Sequence, residues 1–425
     1  MPLDVERYHD QSLYAAARLG GAGSRHAAGL VARTAGYGAV LASLLFNLAL
    51  CAAATRGMHS PRALVAAIEV AIIAVALVAA WPIVVGRLLV PGALAVLCIA
   101  GLYVLDPVND PKIAVELAMI GGFACLGARI SNPRAANRLL WMVTLLVLAV
   151  GLWEMLALPS FEHVFDIYGY YVDKGALTLE HANDTGTKLA ENGMRPEGEG
   201  RQLLSGFLGL HRVGSIFLEP VSAGNFTVVC VAWVIARQAV GRDGWLLILA
   251  ALTVGVLADA RFSIISSAAV AAMLLSGAWR SRLIVAGLPF VMVAALLAVG
   301  VATAGGVDNT IGGRLIGSGR LLAGWSLGEW LGLTAPASVS MDTGYSYVLG
   351  NLGTVASVAI WLAVALRPKP PAAARFFAVI SVYLTLALSI SYSCFSIKTA
   401  ALMWFLYGTL LASDDAAHGM RHSGA

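Results

Sequence analysis

The chain has 425 residues, 59% hydrophobic and only 12% charged, with Lys+Arg 28 against Asp+Glu 24 and a mean hydropathy of +0.79. A soluble globular domain carries about 25% charged residues, so this composition excludes one. The net charge of +4 sits mainly in short basic loops between apolar runs, which marks membrane topology and not a nucleic-acid surface. The five cysteines, Cys51, Cys98, Cys125, Cys230 and Cys394, form no CxxC pair, lie in or beside apolar runs, and read as small hydrophobes.

In chain order, residues 1–36 are polar, with Arg7, Arg18, Arg25 and Arg33, and carry no cleavable signal pattern. They read as a cytoplasmic, partly amphipathic arm. Apolar runs of roughly 16 to 22 residues follow, the length that crosses about 30 Å of hydrocarbon. Spans are predicted near 37–55, 64–85, 88–105, 113–128, 139–158, 221–236, 245–258, 262–279, 283–304, 344–365, 376–391 and 399–411. The expected fold is an all-α polytopic membrane protein of about twelve transmembrane helices over 37–411. Residues 412–425 read as a cytoplasmic tail. These runs lack the alternation of a β-barrel.

Orientation follows the basic clusters. Arg87, then Arg129, Arg134 and Arg138, then Arg237 and Arg242, then Arg280 and Arg282, then Arg367, Lys369 and Arg375 fall on one side with the N-terminal arm. By the positive-inside rule that side is cytoplasmic. Arg56 and Arg62 fall on the other. The opposite, periplasmic face then receives two long loops, 159–220 and 305–343, together with the turn at 106–112 and Asp259–Arg261. Long loops gathered on one face point to a covered extracytoplasmic site. Segment 201–218 reads as a re-entrant or interfacial piece, or as a backward extension of the sixth span. No GKS/GKT or strand-borne GxGxxG marks a nucleotide site, and no cofactor is expected.

The polar candidates lie at that face. In HRVGSIFLEP, 211–220, Arg212 precedes Glu219 by seven residues, close to two helical turns, so a helix would turn both to one side. The bland alternative is a structural Arg–Glu pair. Gly214 removes bulk, Pro220 ends or kinks the local helix, and Gly224 admits a neighbouring backbone. Asp259 and Arg261 lie between two apolar runs joined almost without a loop; Arg261 either snorkels or binds phosphate. Arg314 and Arg320, separated by Gly317 and Gly319, are expected to present two cations on a segment free to bend around an anion. Trp325 and Trp330 offer sugar-stacking faces or interfacial anchors. Asp342 and Tyr345 open the tenth span, Asp342 serving as a site residue or as an N-cap. His163, His181 and His211 show no metal-ligand spacing, and no metal is assigned. The sequons at Asn183 and Asn225 carry no weight.

Arginines from separate loops beside acidic groups, at the mouth of an apolar bundle, fit an anionic lipid-linked substrate. A polyprenyl diphosphate offers phosphates to the cations and a tail to the helix grooves. Its leaving group gains negative charge that the cations stabilise.

HRVGSIFLEPVSAGNF at 211–226 resembles the signature of bacterial O-antigen and exopolysaccharide repeat-unit polymerases, which are related to O-antigen ligases. ADARFSIISS at 258–267 resembles the helix pair that follows. GRLIGSGRLLAGW at 313–325 and MDTGYSYVLGNLG at 341–353 resemble the late periplasmic loop and the start of the next span. The resemblance covers most of the chain in outline and about 40 residues in motifs, with polymerases of xanthan-like exopolysaccharides as the nearest kind. It implies a GT-C-like membrane glycosyltransferase in the bacterial inner membrane, joining undecaprenyl-diphosphate-linked repeat units at the periplasmic face. Arg212, Arg261 and one of Arg314 or Arg320 would hold the diphosphates, and Glu219 or Asp259 would act as general base. His211, Trp325, Asp342 and Tyr345 would contact substrate. A polysaccharide co-polymerase that regulates chain length, export machinery and membrane lipids are the implied partners, with no nucleic acid. Two arginines stand where the family has one late-loop position, and no local motif selects among the histidines that a ligase would need. The alternatives are a ligase passing glycan to a lipid or protein, a transporter of lipid-linked oligosaccharide without catalysis, and a non-enzymatic envelope scaffold.

Overall fold

The computed structural model describes residues 31–105, 112–177, 187–189, 193–194, 211–238, 241–303, 310–334 and 343–422. Helix accounts for 84% of the structure, and no strand occurs among the described residues. The helices are α1 (Val31–Ala54), α2 (Arg62–Ala79), α3 (Trp81–Arg87), α4 (Leu89–Leu105), α5 (Lys112–Ile130), α6 (Pro133–Leu156), α7 (Leu158–Val164) and α8 (Ile167–Asp173). They continue with α9 (Pro220–Ala236), α10 (Arg242–Leu257), α11 (Arg261–Leu275), α12 (Arg282–Ala302), α13 (Ile311–Ala323), α14 (Leu327–Leu331), α15 (Gly344–Ala365), α16 (Pro371–Ile390) and α17 (Ile397–His422).

Seven of these, α1, α2, α5, α6, α12, α15 and α16, are long and apolar enough to cross a membrane. Joining α3 to α4 across their 71° bend makes eight. α9, α11 and the first part of α17 are apolar but shorter. The protein is thus an all-α membrane protein, and every predicted run coincides with a helix. The run predicted as 64–85 is cut at Ala80, because Pro82 cannot donate within a continuing helix and instead starts α3.

The core runs through α9, α16 and the apolar part of α17, whose side chains are nearly all buried, while α4 and α12 turn large apolar side chains outward. α17 lies along α5 at backbone contact. A Cβ on Gly408 would stand 1.9 Å from the Ala124 carbonyl oxygen, and one on Gly127 would stand 2.0 Å from that of Phe405. Lipid supplies little hydrophobic drive between helices, so small residues and close packing hold this pair. That crossing fixes where α17 begins, and with it Lys398.

Three expectations need correction. Residues 212–219 are not one helix: an extended stretch leads into a short 3-10 turn at Ser215–Phe217, Leu218 is left-handed at φ 62°, and α9 starts at Pro220 with Glu219 as its N-cap. Proline fixes that start, and among the described residues 211–219 do not extend the span backward; residues 201–210 of that segment lie outside the described residues. The segment around Arg314 and Arg320 does not bend; it is the continuous helix α13, and Gly319 serves packing, since its Cβ would stand 2.1 Å from the Leu296 carbonyl oxygen of α12. The N-cap of α15 is Thr343, not Asp342, which lies outside the described residues. Arg56, on the unexpected side of the bundle, donates through Nη1 to the Ala52 carbonyl (2.7 Å), so it caps the C-terminal end of α1, where a cation is favoured.

Candidate functional site: a mixed-charge cavity at one end of the bundle

A cavity of about 400 Å³ opens where α1, α2, α5, α13 and the α16–α17 junction converge with the starts of α9 and the end of α8. Four cations line it, Lys112, Lys174, Arg314 and Lys398, with three carboxylates, Glu69, Glu116 and Glu219. Its apolar walls include Ile73, Val115, Met119 and Val221. A volume of this order is usual for a small-molecule site, where about 300–1,000 Å³ is common.

Lys398 and Glu219 form its inner corner. Lys398 is buried at 4% exposure; its Nζ lies 3.1 Å from Glu219 Oε1 and donates to the Phe217 carbonyl (2.9 Å). That carbonyl is available because the 3-10 turn and left-handed Leu218 break the chain just before α9. Gly214 makes the turn possible, since a Cβ there would stand 2.7 Å from the Leu218 carbonyl carbon. Glu219 Oε2 accepts from Ser222 Oγ (3.0 Å), and Oε1 accepts from the Tyr171 hydroxyl. Burial works against the charge on Glu219, but Lys398, the Tyr171 hydroxyl and Lys174 outweigh it and hold the carboxyl down at about 2. A carboxylate so stabilised is a weak proton acceptor.

The short helix α8 is bolted to α1 and delivers Lys174. Tyr170 donates its hydroxyl to Asn47 Oδ1 (2.6 Å), and Asp166 N donates to Thr55 Oγ1 (2.8 Å). Asp173 pairs with His59 and accepts from the Ser60 amide. Lys174, just past the helix, rests against the Tyr170 and Tyr171 rings at 6.0 and 5.8 Å. Burial, then the nearby Lys398, lowers its pKa, while Glu219 partly offsets them. Across the cavity, Lys112 reaches Glu116 (3.5 Å) and lies 5.8 Å from the Tyr392 ring, which stacks on Tyr347.

Behind this corner, Glu154 organises the stretch that carries Glu219. At 1% exposure it accepts from Gly214 N (3.0 Å) and Ser215 N (2.6 Å), and its Oε1 lies 3.0 Å from His211 Nε2. Ser215 Oγ donates to the Val147 carbonyl (2.6 Å), holding Ser215 at φ 52°. Val213 N donates to the Leu257 carbonyl (3.1 Å), tying the same stretch to the Asp259–Arg261 turn. Asp259 is left-handed at φ 44° and buried, so α10 and α11 do join almost without a loop. Arg212, Asp259 and Arg261 are not among the residues lining the cavity. Arg261 keeps Nε and Nη2 buried with no hydrogen-bond partner among the described residues.

The late segment splits its two arginines. Arg314 lines the cavity, whereas Arg320 donates to the Thr303 carbonyl (2.7 Å). Trp325 packs edge-on against Trp330 at 5.4 Å within an apolar cluster, and Tyr345 donates to the Thr385 carbonyl (3.3 Å) in the same cluster. Neither lines the cavity, and nor do His163 and His211; His181 lies outside the described residues. Among the described residues no cluster of His, Cys, Asp and Glu has the makings of a metal site.

Of the sequence candidates, then, Glu219 and Arg314 reach the cavity. Glu69, Lys112, Glu116, Lys174 and Lys398, which also reach it, went unassigned, as did Glu154. A usable signal existed: Lys398, Glu69 and Glu154 are each a lone charge inside a long apolar stretch, where charge is costly and marks function or pairing. Comparison with protein-family models, curated proteins and solved structures gives no match to this chain, so its functional reading rests on its own residues and motifs.

Proposed function

We propose that this protein is a membrane glycosyltransferase that joins polyprenyl-diphosphate-linked oligosaccharide repeat units into an extracellular or surface polysaccharide. The observation that carries the reading is the cavity: four cations face one space at a single end of a membrane bundle, with an apolar wall from α2 and α5 beside them. Lys112, Lys174 and Arg314 hold the donor diphosphate, and Ile73 and Met119 receive the first part of its tail. Lys398, fixed by Glu219, adds positive charge as the leaving group becomes negative. A hydroxyl of the acceptor sugar attacks the donor's anomeric carbon, the bond from that carbon to the diphosphate oxygen breaks, and the hydroxyl proton passes to a carboxylate.

Glu69 fits that last role better than Glu219. It faces the same cavity and has no hydrogen-bond or ion-pair partner among the described residues, whereas Glu219 is committed to Lys398 and Tyr171. Asp259 does not line the cavity, and in this reading it supports the 211–219 stretch, which Val213 N ties to the Asp259–Arg261 turn through the Leu257 carbonyl. In this reading the cavity end faces the periplasm of a bacterial inner membrane, the shorter apolar helices complete about twelve crossings, the architecture is GT-C-like, and a chain-length regulator and export machinery work alongside. The test is the purified full-length protein with defined undecaprenyl-diphosphate-linked repeat units. Dimers and longer glycans are expected from the wild type, and about a hundredfold slower elongation from Glu69→Gln. Absence of elongation with the cognate repeat unit contradicts the proposal.

A further inference from the structure

We propose that a second pocket, at the opposite end of the bundle and lined by Trp279, Arg280, Arg282, Arg367 and Lys369, binds the phosphate headgroup of an anionic membrane lipid. The pocket has a volume of about 310 Å³ and lies between the turn that joins α11 to α12 and the turn that joins α15 to α16. α16 starts beside it at Pro371 and ends next to Ser391 of the mixed-charge cavity, about 30 Å away by helix length.

Three features separate this cluster from cations that serve topology alone. First, no carboxylate is among its lining residues, and the sequence contains no Asp or Glu over 260–307 or 343–413, the stretches that build it. The charge there is neutralised by nothing on these segments. Second, the cations are held in place. Lys369 Nζ donates to the carbonyls of Val364 (2.6 Å), Ala365 (3.0 Å) and Arg367 (3.0 Å) and sits 4.2 Å from the centre of the Phe377 ring. Arg280 stacks on Trp279 at 5.2 Å, with Arg375 against the same ring at 5.5 Å. Burial, then Arg282 and Arg367, lowers the pKa of Lys369 to about 8, a crowding that an anion relieves. Third, the residues next to the cations are apolar and exposed: Leu283 at 77%, Ile284 at 49% and Leu366 at 38%. A free phosphate has no use for that rim, whereas the acyl chains of a lipid run along it. Basic pockets between transmembrane helices select anionic headgroups on these terms.

The experiment uses full-length protein in nanodiscs of equal phosphatidylglycerol and phosphatidylcholine, with native mass spectrometry counting the lipids retained after release. Wild type is expected to keep phosphatidylglycerol over phosphatidylcholine by roughly tenfold. Arg282→Gln with Arg367→Gln is expected to bring the ratio near one, while Arg134→Gln with Arg138→Gln, an equal loss of charge in another loop predicted on the same side, leaves it unchanged. Equal loss in both doubles, or in neither, overturns the proposal, as does a wild-type protein with no headgroup preference, a result that needs no variant to fold. Displacement of phosphatidylglycerol by inorganic phosphate alone assigns the pocket to a free anion and overturns the lipid assignment.

Discussion

At the cavity end, Lys112, Lys174, Arg314 and Lys398 share one space with Glu69, Glu116 and Glu219. At the other end of α16, Arg280, Arg282, Arg367 and Lys369 share a pocket with no acid among its lining residues. Both ends are positive, but the first buries charges of both signs and must arrange them, whereas the second needs only an outside anion. A buried pair contributes geometry more than stability, because each ion loses its water and recovers it only through a well-placed partner. The cavity end is therefore where single substitutions should do most damage, and where that damage should separate into folding and chemistry.

The largest effect is expected from Lys398→Met, which leaves Glu219 and the Phe217 carbonyl without their cation. Removing one member of a buried pair costs about 3–5 kcal/mol, read as a lowered midpoint of thermal unfolding in detergent. Adding Glu219→Leu should recover most of that midpoint without recovering polymer synthesis. If the double variant is no more stable than Lys398→Met alone, the pairing described here is not what the lysine does.

Next comes the contrast between Arg314 and Arg320. Arg314→Gln removes a cavity cation and is expected to slow polymer formation about 10²–10³-fold, the loss usual for one charge-stabilising donor, at normal membrane abundance. Arg320→Gln loses its bond to the Thr303 carbonyl and is expected to lower abundance with little change in activity per molecule. Polymer yield set against quantified membrane protein distinguishes them, and a reversed pattern breaks the assignment.

Glu154→Ala should cost about 1–3 kcal/mol, because the amides of Gly214 and Ser215 stay buried without an acceptor. It should also displace Glu219 and lower polymer yield, although Glu154 lies outside the cavity. Glu154→Gln keeps an acceptor oxygen and should fall between. Equal stability of all three proteins in chemical denaturation would mean that the 211–215 stretch is anchored elsewhere.

The last expected effect concerns pH. The Glu219 carboxyl is lowered from 4.5 to about 2, so the stability it adds is fully present above about pH 4.5 and is lost as pH falls toward 2. Between pH 5 and 2 the wild type should lose more stability than Glu219→Gln. Parallel acid unfolding curves would contradict the depressed value.

The helices were legible in the sequence because apolar length alone sets them, and each predicted run has its helix. The break at Ala80 was not, since Pro82 sets a boundary that hydropathy averages over, whereas the start of α9 at Pro220 agrees with the predicted span. Glu219 was legible through its motif, but its partner was not. Lys398 lies far along the chain, and the close packing of α17 on α5, with Gly127 against Phe405 and Gly408 against Ala124, brings it in. The i, i+7 logic that placed Arg212 beside Glu219 failed on local backbone: Ser215 and Leu218 take left-handed conformations that no residue preference announces. Reading Gly317 and Gly319 as a flexible pair failed for the opposite reason, because in a membrane bundle glycine more often marks a close helix contact than a hinge.

The most direct test of the central claim, that the mixed-charge cavity and not the basic end receives the lipid diphosphate, is an equilibrium binding measurement. Undecaprenyl diphosphate is titrated into purified wild type, Lys174→Gln, Arg314→Gln and Lys369→Gln in nanodiscs that contain phosphatidylglycerol, which keeps the basic pocket at the other end filled. Dissociation constants about tenfold or more weaker are expected for Lys174→Gln and Arg314→Gln, with Lys369→Gln indistinguishable from wild type. Unchanged binding in both cavity variants, or a loss confined to Lys369→Gln, would contradict the account.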